Sequence, residues 1–327
     1  MSDVQNHDVD ILIVGAGPSG LYAGYYAGFR GLKIAIADML EVPGGQITAL
    51  YPEKKIYDVA GFPEVLGREL VDRLVAQVEP FSPIWILGER IEGLERVDER
   101  WSVRLSGGGT VVTTVVVITG GIGTFEPRPL PVGRDYEERG LIYYVPKPSE
   151  LADKKVVIVG GGDSAFDWAL ALEPIATEVT LVHRRDTFRA HEHTIELVQR
   201  SSAKIVTSAE VTAIFGEEQL TSVEVTAKSG LVEVIEAEIV VAALGFVAHL
   251  GPLAEWGLEM SKRTIVVDTA MRTNLPGVFA AGDITEYPGK VRLISTGFGE
   301  AATAVNNAMT VIDPSKSVFP GHSSEAT

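Results

Sequence analysis

Short runs of β-branched and other apolar residues alternate along this chain with longer segments that carry small and apolar residues at helical spacing. Residues 10–14 predict a strand buried on both faces, 19–28 a helix and 33–37 a second buried strand. The same layout returns at 155–159, 164–172 and 178–182. Apolar runs at 110–119, 238–244 and 277–281 have the length of buried strands rather than of helices. Strand–helix–strand alternation builds βαβ units and parallel sheets, so the pattern predicts an α/β fold.

Breaks in the pattern place the domains. Pro127, Pro129 and Pro131 make a stiff, extended stretch just after one of the strand runs. It predicts a crossover from a first domain into a second, with residues 246–252 as the return. The expected division is 1–123 with 248–327 for a discontinuous first domain, and 124–247 for the one inserted into it. Residues 313–327 hold two prolines and several serines and predict an irregular tail.

Each βαβ pattern carries a glycine motif at its strand-to-helix turn. The first is Gly15, Ala16, Gly17, Pro18, Ser19 and Gly20. Gly15 permits the tight turn, Gly17 lets the backbone approach a pyrophosphate, and Gly20 allows the helix to pack closely on the strand. The helix N-terminus adds free N–H groups for the phosphates. Asp38 stands 23 residues after Gly15, where a carboxylate accepts hydrogen bonds from a ribose.

The second motif is Gly160, Gly161, Gly162, Asp163, Ser164 and Ala165. The same count of 23 from Gly160 lands on His183, followed by Arg184 and Arg185, with Arg189 close behind. A carboxylate at that position would repel a 2′-phosphate, whereas a guanidinium fork binds one bidentately. The first site therefore suits an unphosphorylated ribose, as in FAD or NAD, and the second suits NADP. One acid-tipped and one base-tipped nucleotide fold in a single chain point to a flavin exchanging electrons with a nicotinamide.

Composition narrows the field further. A length of 327 residues suits two domains of ~150 residues each. No apolar run reaches the ~18 residues of a membrane span, and the opening MSDVQNHDVD is acidic and polar, which predicts a cytoplasmic protein. Cysteine is absent, which removes disulfides, thiolate metal sites, cysteine-ligated iron–sulfur clusters and dithiol redox centres together. A net charge of −16 argues against a nucleic-acid partner. His191, Glu192 and His193 have a metal-like look, but residues two apart on a helix point to different faces, so no metal site is expected. The run Gly107 to Gly109 predicts a hairpin turn rather than a phosphate loop, and Glu217 with Glu218 a solvated loop.

Further stretches carry a family resemblance. They are Gly44-Gly45-Gln46, Tyr51-Pro52-Glu53-Lys54, the run from Ile56 to Pro63, and His183-Arg184-Arg185 with the segment from Phe188 to His193. Ala281-Gly282-Asp283 and the segment from Thr296 to Ala301 complete the set. With the two glycine motifs, they make nearly the whole chain resemble the thioredoxin-reductase-like ferredoxin–NADP⁺ reductases. The resemblance implies two Rossmann-like dinucleotide-binding domains, one for FAD and one for NADPH, the second inserted into the first, in a homodimer.

That resemblance also implies roles. Gly15, Gly17, Pro18, Ser19, Gly20 and Asp38 would hold FAD. Asp283 would hydrogen-bond the ribityl or phosphate part, Gln46 would face the flavin, and Tyr51 would stack on the isoalloxazine ring. Ile91 would meet the adenine end through its backbone, and Phe125 would pack near the cofactor at the domain crossover. Gly160, Gly162, Asp163, Ser164, His183, Arg184, Arg185 and Arg189 would hold NADPH. The tail would bring His322 and Ser324 over the second flavin face, its own or the partner subunit's; the alternative is a disordered terminus.

The implied activity moves electrons between NADPH and ferredoxin, with flavodoxin as the other acceptor, and obliges no side chain to act as acid or base. A thioredoxin reductase is excluded by the missing cysteines. An NADPH diaphorase that reduces quinones or free flavins, and a non-catalytic NADP(H)-sensing flavoprotein, remain as alternatives. Ferredoxins are acidic, so docking calls for a basic patch, for which Lys54, Lys55, Lys290 and Arg292 are the candidates.

Overall fold

The computed structural model describes residues 6–120, 124–145, 147–249, 251–319 and 321, with the backbone alone at 124–126 and 246–249. The chain divides into two compact units, Met1–Thr124 with Ala248–Thr327, and Phe125–Val247. The linking strands Thr124–Pro127 and Phe246–His249 pair as a two-stranded sheet. The helices are α1 (Pro18–Phe29), α2 (Gln46–Leu50), α3 (Gly67–Val78), α4 (Asp163–Leu172), α5 (Glu192–Arg200) and α6 (Ile294–Ile312). Among the described residues, no helix is long and apolar enough to cross a membrane.

In the first unit, β1 (Asn6–Val14), α1 and β2 (Ile34–Asp38) form one βαβ unit with β1 and β2 parallel, Ile13 opposite Ile36. Ile84–Leu87 extends the sheet beyond β2, and Thr110–Ile118 flanks β1 on its other side. The chain thus leaves β1 first to one side and returns later on the other. The reversal falls at the C-terminal end of β1, where a parallel sheet opens a crevice for ligands. Ile11, Leu12 and Ile13 are fully buried, as a central strand covered on both faces requires.

β1 begins four residues before the expected start. Its first residues, Asn6 to Val9, pair with Thr110 to Thr113, and the polar members are held from the side. Asp8 forms an ion pair with Arg100 at 2.8 Å, and Asn6 accepts from the Thr110 amide at 3.2 Å. Such residues read as loop in a sequence because their strand partners are remote. Thr110–Ile118 serves two neighbours in turn. Its first half is antiparallel to Arg100–Leu105 across the turn at Gly107 to Gly109, and its second half is parallel to Val278–Ala280.

α1 packs on the sheet through small residues: Gly20, Ala23, Gly24, Ala27 and Gly28 are buried. A Cβ on Gly24 would stand 2.7 Å from the Ile36 side chain of β2, so glycine sets how closely the helix approaches the sheet. α3 buries Leu70, Val71, Leu74 and Val78 along one stripe, each contributing ~1.5–3 kcal/mol of transfer free energy.

The second unit repeats the plan with a smaller sheet. Lys155–Val159, α4 and Glu178–His183 form its βαβ unit, and Ile239–Ala242 lies on the other side of Lys155–Val159. Leu141–Ile142 and Lys204–Thr207 complete the parallel sheet. An antiparallel meander of Ala209–Phe215, Ser222–Ala227 and Val232–Glu236 adds Val211, Val223 and Val225 to this unit's core.

Candidate functional site

Steric demand at the first glycine motif differs sharply from position to position. Gly15 has φ +112°, and a Cβ there would stand 2.6 Å from the Gly120 backbone. A Cβ on Gly20 would stand 1.8 Å from the Gly15 carbonyl oxygen, and the Thr119 hydroxyl donates to that same oxygen at 2.9 Å. Gly17 is the opposite case: a Cβ there would meet nothing within 4 Å. Gly15 and Gly20 are thus glycines for packing, whereas Gly17 faces open space. α1 starts directly behind, with Gly17 as N-cap, no side-chain cap and no acid in its first turn. Its leading N–H groups are left for an anionic ligand, and the helix dipole favours one.

Asp38 ends β2 and turns its carboxylate back onto this loop. One oxygen accepts from the Ala16 amide at 2.6 Å, the other from the Leu40 amide at 2.9 Å. Burial pushes its pKa above the ordinary carboxylate value, and these amides pull the other way. The Gly44–Gly45 turn, with φ +111° and +58°, comes against the same loop. The Gly44 amide donates to the Ala16 carbonyl at 2.8 Å, which sets Gln46 at the start of α2 beside the motif. Ile91 is buried and opens the strand Ile91–Val97 just beyond Gly88, whose amide bonds the Leu40 carbonyl.

A second approach comes from the C-terminal part of the unit. Gly282 follows the strand Val278–Ala280 with φ +85°, and its Cβ would stand 2.8 Å from the Ser19 hydroxyl. Gly297, in the first turn of α6, makes the same approach, with 2.3 Å to Ser19. Ser19, the Gly282–Asp283 turn and the start of α6 therefore converge. Asp58 accepts from the Ile294 amide at 3.1 Å and so caps α6 at that point. Asp283 reaches solvent, yet surrounding protein pushes its carboxyl above the ordinary value, as expected on the wall of a concave site. Tyr51 closes α2, and burial, with the charges of Asp283 and Asp58 adding to it, pushes its phenol up to about 12. Burial of this kind, a free helix N-terminus and the open space at Gly17 together fit a dinucleotide carrying a flavin.

In the second motif Gly160 and Gly161 are glycines for space. A Cβ on Gly160 would stand 2.5 Å from the Ala243 carbonyl oxygen, and one on Gly161 would stand 2.2 Å from the His183 ring. A Cβ on Gly162, the N-cap of α4, would meet nothing within 4 Å, like Gly17. Asp163 and Ser164 open α4 at the surface, and the Asp163 carboxylate accepts from the His191 amide at 2.9 Å. His183 packs on Gly161 and lies 5.6 Å from the Phe188 ring. Burial pushes the His183 pKa below its ordinary value, and the neighbouring charges of Arg184, Arg185 and Arg189 act in the same direction. The side chains of those three arginines are exposed, with no ion-pair or hydrogen-bond partner among the described residues. They form a cluster of free guanidinium groups beside an open glycine loop.

Several expectations change. Lys290 is no surface cation: its side chain is 1 % exposed and pairs with Glu300. Lys55 is paired with Glu64 and Arg292 with Glu286, so these positions form no free basic patch. Phe125 lies on the linking strand Thr124–Pro127 with only its backbone described. His322 and Ser324 lie outside the described residues. α5 begins at Glu192 with His191 as its N-cap, and among the described residues no His, Cys, Asp and Glu group could hold a metal. Glu300 and Asp58 are functional neighbours of the turn to which no motif in the sequence assigns a role. The available signal was an acid at Glu300 on the same helical stripe as Gly297, Ala301 and Ala304, all of them buried.

Residues 9–308 match the model of the pyridine nucleotide-disulphide oxidoreductase family. The chain is 58 % identical over 320 residues to a ferredoxin–NADP reductase of Salinispora arenicola, covering 98 % of this chain and 99 % of that one. It is 60 % identical over 324 residues to a ferredoxin–NADP reductase of a Nocardioides species, covering 98 % of each. Among solved structures it is similar to a thioredoxin reductase of T. acidophilum, with TM-score 0.82, 25 % identity and coverage of 94 % of this chain and 99 % of that one.

Proposed function

The chain belongs to the pyridine nucleotide-disulphide oxidoreductase family, and on that premise we propose a ferredoxin–NADP⁺ reductase that carries FAD and moves electrons between NADPH and ferredoxin. The observation that carries this reading is the opposite charge at equivalent places in two glycine-loop sites. Asp38 stands after the first, and His183, Arg184 and Arg185 stand after the second. The chemistry FAD would supply when bound is exchange between the two-electron hydride chemistry of NADPH and single-electron transfer to ferredoxin.

The protein's own residues bind and orient. Gly17 and the leading amides of α1 take the pyrophosphate of FAD, with Pro18, Ser19 and Gly20 shaping the turn. Asp38 fixes that loop and faces the ribose. Asp283 takes the ribityl or phosphate part, and Gln46 and Tyr51 line the flavin and exclude water. Gly162 and the start of α4 take the pyrophosphate of NADPH, and Arg184, Arg185 and Arg189 take its 2′-phosphate. Flavodoxin is the second acceptor. The protein is cytoplasmic and, as the family resemblance implies, acts as a homodimer.

Stopped-flow reduction of the purified yellow protein tests the reading. NADPH bleaches the flavin rapidly, NADH does so far more slowly, and oxidised ferredoxin restores the colour. Bleaching without reoxidation by ferredoxin would move the activity to a diaphorase, and a protein that purifies without flavin would overturn the assignment.

A further inference from the structure

Beneath the Gly282–Asp283 turn lies a buried ion pair that the electron-transfer reading does not use. Lys290 and Glu300 are 1 % and 4 % exposed at the side chain. Glu300 accepts from the Gly282 amide at 2.7 Å and from the Tyr287 hydroxyl at 2.6 Å. Lys290 donates to Glu300 and, at 3.0 Å, to the Gly282 carbonyl. Thr285 donates to that carbonyl too, through its amide at 3.0 Å and its hydroxyl at 2.8 Å. Both backbone polar groups of Gly282 are therefore engaged, and the residue is fixed at φ +85°.

A buried pair of this kind is poor evidence for stability, because apolar replacements of similar volume are often neutral or better. Holding one conformation is a better reason to keep it. Here the held residue is the one immediately before Asp283.

We propose that the Lys290–Glu300 pair is a positioning device for Asp283, locking Gly282 by both its amide and its carbonyl so that the Asp283 carboxyl group is held in place toward the FAD. The inference rests on the FAD reading above. Burial raises the Asp283 carboxyl; the charges of Lys290 and Arg292 oppose that rise, and those of Glu300 and Asp58 add to it. Tyr287 completes the lock, with its hydroxyl on Glu300 and its ring centre 5.6 Å from the Lys290 ammonium.

The test is a double-mutant cycle of Lys290→Met and Asp283→Asn, read as the FAD dissociation constant of the apoprotein and the midpoint potential of the bound flavin. Each single variant is expected to weaken FAD by about tenfold or more, the size of one charge-assisted interaction. The double variant loses scarcely more than either single one, because Lys290 works through Asp283. The potential becomes more negative in Lys290→Met, which a purely structural pair would not produce. If Lys290→Met fails to fold, Lys290→Met with Glu300→Gln removes both charges and is read through the FAD dissociation constant, where the same loss of about tenfold is expected. Losses that simply add, or a Lys290 variant with wild-type affinity and potential, overturn the inference. A wild-type apoprotein that does not bind FAD overturns the flavoprotein reading itself.

Discussion

The Asp38 carboxylate accepts the amide of Ala16 at 2.6 Å, so the acid at the end of β2 anchors the phosphate loop that precedes α1. Its other oxygen holds the Leu40 amide, which turns the chain away from the sheet. One side chain thus ties together the loop, the strand end and the next turn. It keeps the open face of the loop in a fixed shape before any ligand arrives.

Asp38→Ala leaves both amides without that acceptor. The expected cost is ~1–3 kcal/mol in the urea unfolding free energy of the apoprotein, together with weaker FAD binding. Asp38→Asn keeps an acceptor for at least one amide and loses less on both measures.

Gly17 and Gly20 separate ligand approach from folding. Gly20→Ala drives a methyl against the Gly15 carbonyl, and a loss of ~3 kcal/mol or more of stability is expected, at the upper end for overpacking. Gly17→Ala has room in the protein and an ordinary φ of −71°, so its unfolding free energy stays within ~0.5 kcal/mol of wild type. Its FAD affinity falls, because the methyl enters the space the pyrophosphate needs. Fluorescence titration with FAD and urea unfolding of both variants check the contrast.

Arg184→Ala with Arg185→Ala removes two of the three free guanidinium groups at the second loop. The expected KM for NADPH rises about 10- to 100-fold, the worth of one or two charge-assisted contacts. The KM for NADH stays unchanged, since that cofactor lacks the phosphate. An equal rise for both cofactors would place these arginines elsewhere.

Tyr51 gives a pH signature in the apoprotein. Burial, with Asp283 and Asp58 adding to it, raises its phenol from 10.0 to about 12. The folded chain then holds this proton at pH values where the unfolded chain has lost it. Stability drawn from that phenol is complete below pH 10 and is lost as the pH climbs to about 12. Tyr51→Phe removes one late-ionising phenol from the spectrophotometric titration and flattens the fall in stability across that window. Tyr143 and Tyr287 are also pushed up to about 12 and remain as internal controls.

Much of the first unit is legible residue by residue. The apolar run before Gly15, the small residues of α1 and the acid at Asp38 are local features, and each forms as its sequence dictates. α6 is harder to read, because Gly297 and Gly299 lower helix propensity in its first two turns. Close approach to Ser19 is the reason Gly297 carries no side chain, and nothing near it in sequence reveals that. Lys290 reads as one more surface lysine for the same reason: its partner is ten positions away on a helix, and its burial depends on Gly282 lying above it.

The sequence by itself determined the two strand–glycine–helix units, the charge after each, and the absence of any thiol chemistry. These properties rest on local spacing and residue type, which a linear chain states directly. Tertiary structure alone decided that Asp38 grips its own loop, that Gly282 is held by a buried pair, and that Lys290 is buried while Lys55 and Arg292 are paired. Those outcomes depend on which distant residues meet and on how much water their meeting excludes. A carboxylate or an ammonium has the same letter whether it is solvated or buried, and only the fold sets its partner.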